Sequence, residues 1–208
     1  MDNPQDSKET KRLEELWAGK FGQDYVERNR AAANGRDAFW KPFLERHPVR
    51  EVLEVGCNIG ANVRWIAAVL PPANVHGIDV NVEALQSLSV AVPGVQVARA
   101  AARHLPYGDA RFDLVFTAGV LIHQPEEALA QVMSEIVRCS RRYVLAIEYF
   151  SLQTQEVFYR GQEGALFKRD YGRLYRERHP ELKEVETGRL GRPEGWDDVT
   201  YWLFTKGG

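Results

Sequence analysis

Short apolar stretches alternate with amphipathic ones across the middle of this 208-residue chain. The first apolar stretch, "EVLEV" (51–55), predicts a buried strand, and "GANVRWIAAVL" (60–70) after it predicts a helix. Strands that alternate with helices in this way form a parallel sheet covered on both faces, so a doubly wound α/β domain is expected. The remaining strands of this region are predicted at 74–80, 95–100, 112–118 and 142–150, and its remaining helices at 81–91 and 125–139.

The N-terminal part of the chain departs from this alternation. Apolar side chains at helical spacing predict two helices within 10–30 and a third at 36–46. Gly19 and Gly22 predict the break between the first two helices. Residues 1–9 are expected to be a disordered tail. The helices of residues 10–46 are expected to form a lid over the sheet.

The C-terminal part departs from it as well. A helix is predicted at 167–180, and strands are predicted at 181–191 and 198–206. Two consecutive strands imply an antiparallel hairpin on one edge, which brings the sheet to seven strands. The length suits one domain with a sizeable core, and residues 10–208 are expected to form it.

Composition narrows the class of protein. The formal net charge of -2 gives no overall attraction to nucleic acid or to an anionic membrane. The N-terminus lacks an apolar signal core, and no apolar run approaches the roughly 18 residues of a membrane span. Cys57 and Cys139 are too few for a disulfide framework or a zinc cluster, so buried thiols and no metal are expected. These features predict a cytoplasmic location.

The first predicted strand ends in a glycine-containing turn. Ligands of open parallel sheets bind beyond the carboxyl ends of the strands. Gly56 and Gly60 lack side chains, which allows a ligand to approach the backbone, and Asn58 tolerates left-handed conformations. A dinucleotide fingerprint would need further glycines at Asn58 and Ala61, so that ligand is not favoured. The alternative is that this turn is a tight connection between strand and helix that binds no ligand.

The second predicted strand ends in Asp79, which lies 19 residues after Gly60. A carboxylate in this position can accept hydrogen bonds from both hydroxyls of a ribose. The alternative role for Asp79 is a cap for the helix that follows, although Asn81 is the predicted N-cap of that helix.

The spacing Glu54-x-Gly56-x-x-x-Gly60 resembles the motif of class I S-adenosylmethionine-dependent methyltransferases. "AAARHLPYGDARFDLVFTAGVLIH" resembles a second motif of these enzymes, but Ala101 stands where an acid often meets the adenine amino group. The resemblance implies a Rossmann-like class I methyltransferase fold and S-adenosylmethionine as cofactor. The cofactor-binding residues that it implies are Arg30, Glu54, Gly56, Cys57, Asn58, Gly60, Asp79, Ala101, Ala102, Thr117 and Gly119.

A narrower resemblance covers roughly residues 15–205. The stretches "WAGKFGQDYVERN", "LEVGCNIGAN", "VFTAGVLIH", "EYFS", "YRG" and "LFKRDYG" resemble methylases associated with pseudaminic acid biosynthesis. These are small bacterial methyltransferases found with surface-sugar and natural-product pathways. The family name limits the substrate only loosely.

Two residues are candidates for catalysis. His123 follows the fourth strand, and its imidazole could remove a proton from an acceptor hydroxyl. Glu148 lies near the end of the fifth strand and could orient an amine or a hydroxyl. The alternative role for His123 is structural, as a cap of the turn before Pro125. The alternative role for Glu148 is that of a paired acid at the end of a strand. An acceptor that is an amine or an acid can be methylated without a dedicated base.

Two segments are expected to roof the acceptor pocket. The first is the lid around Tyr25, within which Trp17 and Phe21 are expected to pack as core, and the second is 149–171. Basic and aromatic residues together suit an anionic acceptor with a flat or ring part, such as a nucleotide-linked sugar. The alternative is that these basic and aromatic side chains lie on a solvated helix face and bind no acceptor. The predicted substrate-binding residues are Tyr25, Tyr149, Tyr159, Arg160 and Lys168.

These observations favour an enzyme that methylates a hydroxyl or amine of a small molecule. The expected partner is that acceptor, with no nucleic acid and no membrane, and the expected state is a monomer or a homodimer. A methyltransferase for RNA or protein is one alternative, and a cofactor-binding protein without turnover is another.

Overall fold

The computed structural model describes residues 7–29 and 35–207, and its first three elements are helices. These are α1 (Lys8–Ala18), α2 (Lys20–Asn29) and α3 (Asp37–Arg46). The hydroxyl of Ser7 accepts a hydrogen bond from the Thr10 amide at 3.1 Å and caps α1. Helix α1 therefore begins inside the tail that was predicted for residues 1–9, of which residues 1–6 lie outside the described part.

The break between α1 and α2 falls at Gly19 and not at Gly22. Gly22 lies inside α2, where a Cβ atom would stand only 1.8 Å from the carbonyl oxygen of Trp17. Position 22 therefore requires a glycine because α2 passes very close to the end of α1.

A seven-stranded sheet forms the centre of the domain. Its strands are β1 (Val52–Val55), β2 (Val75–Asp79), β3 (Gln96–Arg99), β4 (Phe112–Ala118), β5 (Ser140–Glu148), β8 (Leu182–Leu190) and β9 (Val199–Lys206). They lie in the order β3-β2-β1-β4-β5-β9-β8. The first five are parallel, and β9 is antiparallel to both of its neighbours. The predicted mostly parallel sheet with a C-terminal antiparallel pair is confirmed.

The remaining helices agree with the sequence pattern to different degrees. They are α4 (Val63–Ile66), α5 (Val82–Ala91), α6 (Glu126–Cys139) and α7 (Tyr171–Arg178). The Asn81 side chain accepts from the Ala84 amide at 3.1 Å, so the predicted N-cap of α5 is present. Helix α4 is much shorter than the predicted 60–70, because turns flank it on both sides.

A small second sheet was not predicted. It pairs β6 (Gln155–Glu156) with β7 (Phe167–Lys168). Because β7 occupies the start of the helix predicted at 167–180, α7 begins only at Tyr171, after the N-cap Asp170.

Apolar layers cover both faces of the sheet. Trp40 and Phe43 of α3 are fully buried in one layer, and the Trp40 ring lies 4.7 Å from that of Phe116. Met133 of α6 and Tyr175 of α7 are fully buried in the other. Helix α3 is therefore part of the core, which corrects the prediction that the lid extends to residue 46. None of the helices in the described ranges combines the length and the apolar character that a bilayer span demands.

Candidate active site

A cavity of about 180 Å³ lies at the carboxyl edge of the sheet, where the strand order reverses between β1 and β4. Residues after β1, β2 and β4 form its floor. Helices α1 and α2 cover it through Leu13, Trp17, Tyr25 and Val26. This is the position at which doubly wound sheets bind their ligands.

The turn after β1 contains two positions with left-handed backbone next to the cavity. Gly56 has φ of 73°, and a Cβ atom there would stand 2.4 Å from Cγ2 of Val120. Asn58 has φ of 47°, and both it and Gly56 line the cavity. Gly60 also has a positive φ, but its missing side chain makes room for Leu88 of α5. The residues that line the cavity do not include Gly60, so its role is packing and not ligand approach.

Asp79 joins this turn to the end of β2. Its Oδ2 accepts a hydrogen bond from the Asn58 amide and its Oδ1 accepts one from the Asn81 amide, both at 2.9 Å. The carboxylate lines the cavity, and burial raises its pKa. Each oxygen retains a further lone pair, so Asp79 can brace the turn and still accept from a ligand.

Glu54 belongs to a chain of polar groups at the β1 side of the cavity. Nη1 of Arg36 donates to Oδ1 of Asn62 at 2.9 Å, and Nδ2 of Asn62 donates to Oε1 of Glu54 at 2.5 Å. Burial raises the pKa of Glu54 to about 8. Its Oε2 is buried without a hydrogen-bond partner in the described part of the chain. All three side chains line the cavity.

Other predicted cofactor residues are distributed around this framework. Cys57 lines the cavity, and its Sγ fills the space that a side chain at Gly77 would need. Cys57 and Cys139 are both buried free thiols, as predicted. Gly119 lines the cavity with φ of 69°, whereas Thr117 is fully buried beneath it.

The alanines after β3 contribute unequally. Ala100 and Ala102 line the cavity, but Ala101 does not. Of the two alanines that the sequence motif predicted, only Ala102 therefore lies at the cavity. Arg30 lies outside the described residues.

His123 lies in the 3₁₀ turn after β4 and lines the cavity. Its Nδ1 lies 2.6 Å from the carbonyl oxygen of Ala165. Because a carbonyl can only accept, Nδ1 carries the proton and Nε2 keeps its lone pair. Burial lowers the pKa of His123 to about 4, so the imidazole is neutral at neutral pH.

Glu148 lies behind this turn and not among the cavity-lining residues. Its Oε1 accepts from the amides of Val120 and Leu121, and its Oε2 accepts from the amide of Ile122, at 3.1 to 3.3 Å. Burial raises its pKa to about 7. Its geometry is that of a residue that positions the His123 turn, which corrects the prediction that it orients the acceptor directly.

The five predicted substrate residues fall into two groups. Tyr25 lines the cavity, and the Tyr159 ring lies 5.7 Å from that of His123. Tyr159 is not a cavity-lining residue, and neither are the other three. Lys168 lies 5.6 Å from the ring centre of Tyr149, and Arg160 is exposed beside Tyr159.

The residues at the site that were missed from the sequence include Asn62 of the polar chain, Trp17 and Arg36. Trp17 was expected to be lid core, but it lines the cavity and its ring lies 4.3 Å from that of His123. Arg36 lies one residue before α3, where a single basic residue carries no periodic signal. The guanidinium carbon of Arg36 lies 4.0 Å from the centre of the Trp196 ring, so its position depends on a distant part of the chain.

Comparisons with known proteins relate the chain to methyltransferases. Residues 52–142 match a methyltransferase domain. Methyltransferase GfsG of Streptomyces halstedii is 34% identical over 96 residues, which are 44% of this chain and 34% of that protein. The phthiotriol/phenolphthiotriol dimycocerosates methyltransferase of Mycobacterium tuberculosis is 29% identical over 94 residues, with the same coverage. The chain thus spans about a third of the length of these relatives.

A solved structure extends the similarity of fold to the whole chain. It is the 1,6-didemethyltoxoflavin-N1-methyltransferase of Burkholderia thailandensis, with 1,6-didemethyltoxoflavin and S-adenosylhomocysteine bound. The TM-score is 0.72 at 19% identity, over 100% of this chain and 92% of that one. The fold is that of the Rossmann-like class I methyltransferases.

Proposed function

We propose that this chain is a methyltransferase that moves a methyl group from S-adenosylmethionine to a hydroxyl or amine of a small molecule. The observation that carries the proposal is that Asp79, Glu54 and His123 line one cavity at the switch point of this fold. The match of residues 52–142 to a methyltransferase domain supports it.

The polar groups of the cavity fit the cofactor. Asp79 can accept hydrogen bonds from the two ribose hydroxyls. The buried, unpartnered Oε2 of Glu54 suits the ammonium group of the methionine part, and the neighbouring guanidinium of Arg36 suits its carboxylate. Ala100 and Ala102 offer the apolar surface that an adenine ring needs.

When bound, the cofactor supplies a methyl group activated by a sulfonium. The chain then has to hold the acceptor in line with that methyl group, exclude water and accept a proton where one is released. Helices α1 and α2 exclude water by covering the cavity. His123 can take the proton, because its Nε2 is unprotonated and Glu148 fixes the turn that carries it.

The acceptor belongs to a bacterial small-molecule pathway, such as one for a sugar or a natural product. The resemblance to methylases associated with pseudaminic acid biosynthesis supports this, as does the small molecule, 1,6-didemethyltoxoflavin, that is bound to the Burkholderia thailandensis enzyme. Macromolecular substrates are less favoured, because the chain has no net basic charge.

Calorimetry with S-adenosylhomocysteine and with NAD tests the cofactor assignment. We expect binding of the first and not of the second. Asp79→Ala should weaken binding by about 100-fold or more, because hydrogen bonds to a charged group contribute about 1.5–3 kcal/mol each. Asp109→Ala, at an exposed position, should leave affinity unchanged. Turnover of labelled cofactor with candidate acceptors then separates an enzyme from a binding protein. Full affinity in Asp79→Ala would contradict the ribose assignment.

A further inference from the structure

Aromatic rings surround His123. Ring centroids lie 4.3 Å apart for Trp17 and His123, 5.3 Å for Trp17 and Tyr25, and 5.7 Å for His123 and Tyr159. Trp17, Tyr25 and His123 line the cavity itself. Planar side chains of this kind bind flat rings through stacked and edge-to-face contacts.

The polar atoms within this aromatic group are complementary to a hydroxyl. Nε2 of His123 is a hydrogen-bond acceptor, because Nδ1 donates to Ala165. The indole Nε1 of Trp17 is a buried donor with no partner among the residues that the structure describes. A ligand at this place would satisfy both atoms if it gave one hydrogen bond and accepted another, as the oxygen of a hydroxyl does.

The charges around the cavity disfavour a phosphate-bearing acceptor. In the described ranges, Arg36 is the only lysine or arginine that lines it, and Arg36 lies on the Glu54 side. Lys168 and Arg160, which the sequence suggested for an anionic acceptor, lie outside the lining.

The acidity of the acceptor hydroxyl determines how readily His123 can take its proton. A histidine made weakly basic by burial is a poor partner for an alcohol, whose hydroxyl pKa lies far above that of a phenol. A phenolic hydroxyl ionises near pKa 10, as tyrosine does, and its proton transfer is much less unfavourable.

We propose that the acceptor is a flat unsaturated ring with a phenolic or enolic hydroxyl, which lies against Trp17 and Tyr25 and gives its proton to Nε2 of His123. This inference rests on the proposed methyltransferase function and narrows its substrate. The hydroxyl oxygen forms the bond to the methyl carbon while the carbon–sulfur bond breaks and its electron pair stays on sulfur. The products are a methyl ether, a neutral thioether and an imidazolium that returns its proton to solvent.

His123→Asn is the informative variant, because the Asn amide nitrogen can keep the hydrogen bond to Ala165 while Nε2 is lost. Labelled S-adenosylmethionine is supplied with phenols of graded pKa, from 4-nitrophenol to 4-methoxyphenol, and with methyl glucoside and benzylamine as other acceptors. The wild type should methylate the phenols. Loss of general-base catalysis costs about 10²–10⁴-fold in kcat. We expect a loss in this range for the least acidic phenols and a much smaller one for 4-nitrophenol, which ionises without help.

His104→Asn is the matched control, since His104 is exposed and outside the cavity lining, and it should behave as wild type. A loss in His123→Asn that is equal for all phenols would indicate a structural role and overturn the proton transfer. Methylation of methyl glucoside or benzylamine without any phenol would overturn the substrate class, as would the absence of turnover with every phenol. Binding of S-adenosylhomocysteine, measured in the same samples, reports on the proposed function separately.

Discussion

Cofactor binding should release a proton from Glu54. Burial raises the pKa of this carboxyl to about 8, and nearby Asp79 raises it further, while Asn62 and Arg36 act in the opposite direction. In the cofactor-free protein the group is therefore mostly protonated at neutral pH. An ammonium group placed at Oε2 favours the carboxylate, so its arrival displaces the proton.

The size of the pH effect on affinity follows from the linkage between cofactor binding and proton release by Glu54. If the bound ammonium returns the Glu54 pKa to its ordinary value near 4.5, affinity for S-adenosylhomocysteine should rise on the order of 50-fold from about pH 6 to about pH 8, or about 2.3 kcal/mol. This is an upper bound, because a smaller shift in the complex gives a smaller slope.

Titration calorimetry in two buffers of different ionisation enthalpy counts the protons released. Wild type should release close to one proton at neutral pH, and Glu54→Gln should release none and show a flat pH dependence. Glu177→Gln, on the exposed side of α7, is the matched control and should follow wild type. Equal proton release by wild type and Glu54→Gln, or proton uptake by wild type, would refute the reasoning.

The carboxyl group of Glu54 also affects the stability of the cofactor-free protein. Its folded-state pKa lies above its ordinary value of 4.5, so the stability that it contributes is fully present below about pH 4.5 and is lost as pH rises through about 8. Urea titrations should show this fall in wild type and a smaller one in Glu54→Gln.

Three further substitutions test the framework of the site. Gly56→Ala and Gly60→Ala should each lose about 1–3 kcal/mol of stability in urea titrations, because both positions have positive φ and a crowded Cβ. Only Gly56→Ala should also weaken S-adenosylhomocysteine binding by calorimetry, and equal affinities in the two variants would contradict the assignment of Gly56 to the cavity. Glu148→Gln should lose about 1.5–3 kcal/mol at about pH 8, because its amide cannot accept from all three backbone donors of the His123 turn. An unchanged midpoint in thermal melts would show that this carboxylate does not hold the turn.

The sequence predicted the parts of the molecule that depend on local patterns. Short apolar runs located the strands of the main sheet, and apolar residues at helical spacing located most helices. Gly56, Asn58 and Asp79 follow from turn chemistry at the ends of strands. These positions are close in sequence to the elements that determine them.

What the sequence did not predict depends on contacts between distant segments. Arg36 reaches Asn62 across 26 positions, and His123 meets Ala165 across 42. The histidine tautomer follows from the second contact and from nothing near residue 123. Gly60 was assigned to the ligand because its neighbour in the packed fold, Leu88, lies on another helix.

The place of β9 between β5 and β8 affects how the domain assembles. In the ladders of the described strands, β8 pairs only with β9, although it precedes β9 along the chain. Until β9 docks, β8 has no strand to join, and the outer edge of β5 is an open template for strands of other molecules. We therefore expect the docking of β9 to protect the folding domain from aggregation, and weakened pairing along it to lower the yield of folded protein before it affects the cavity.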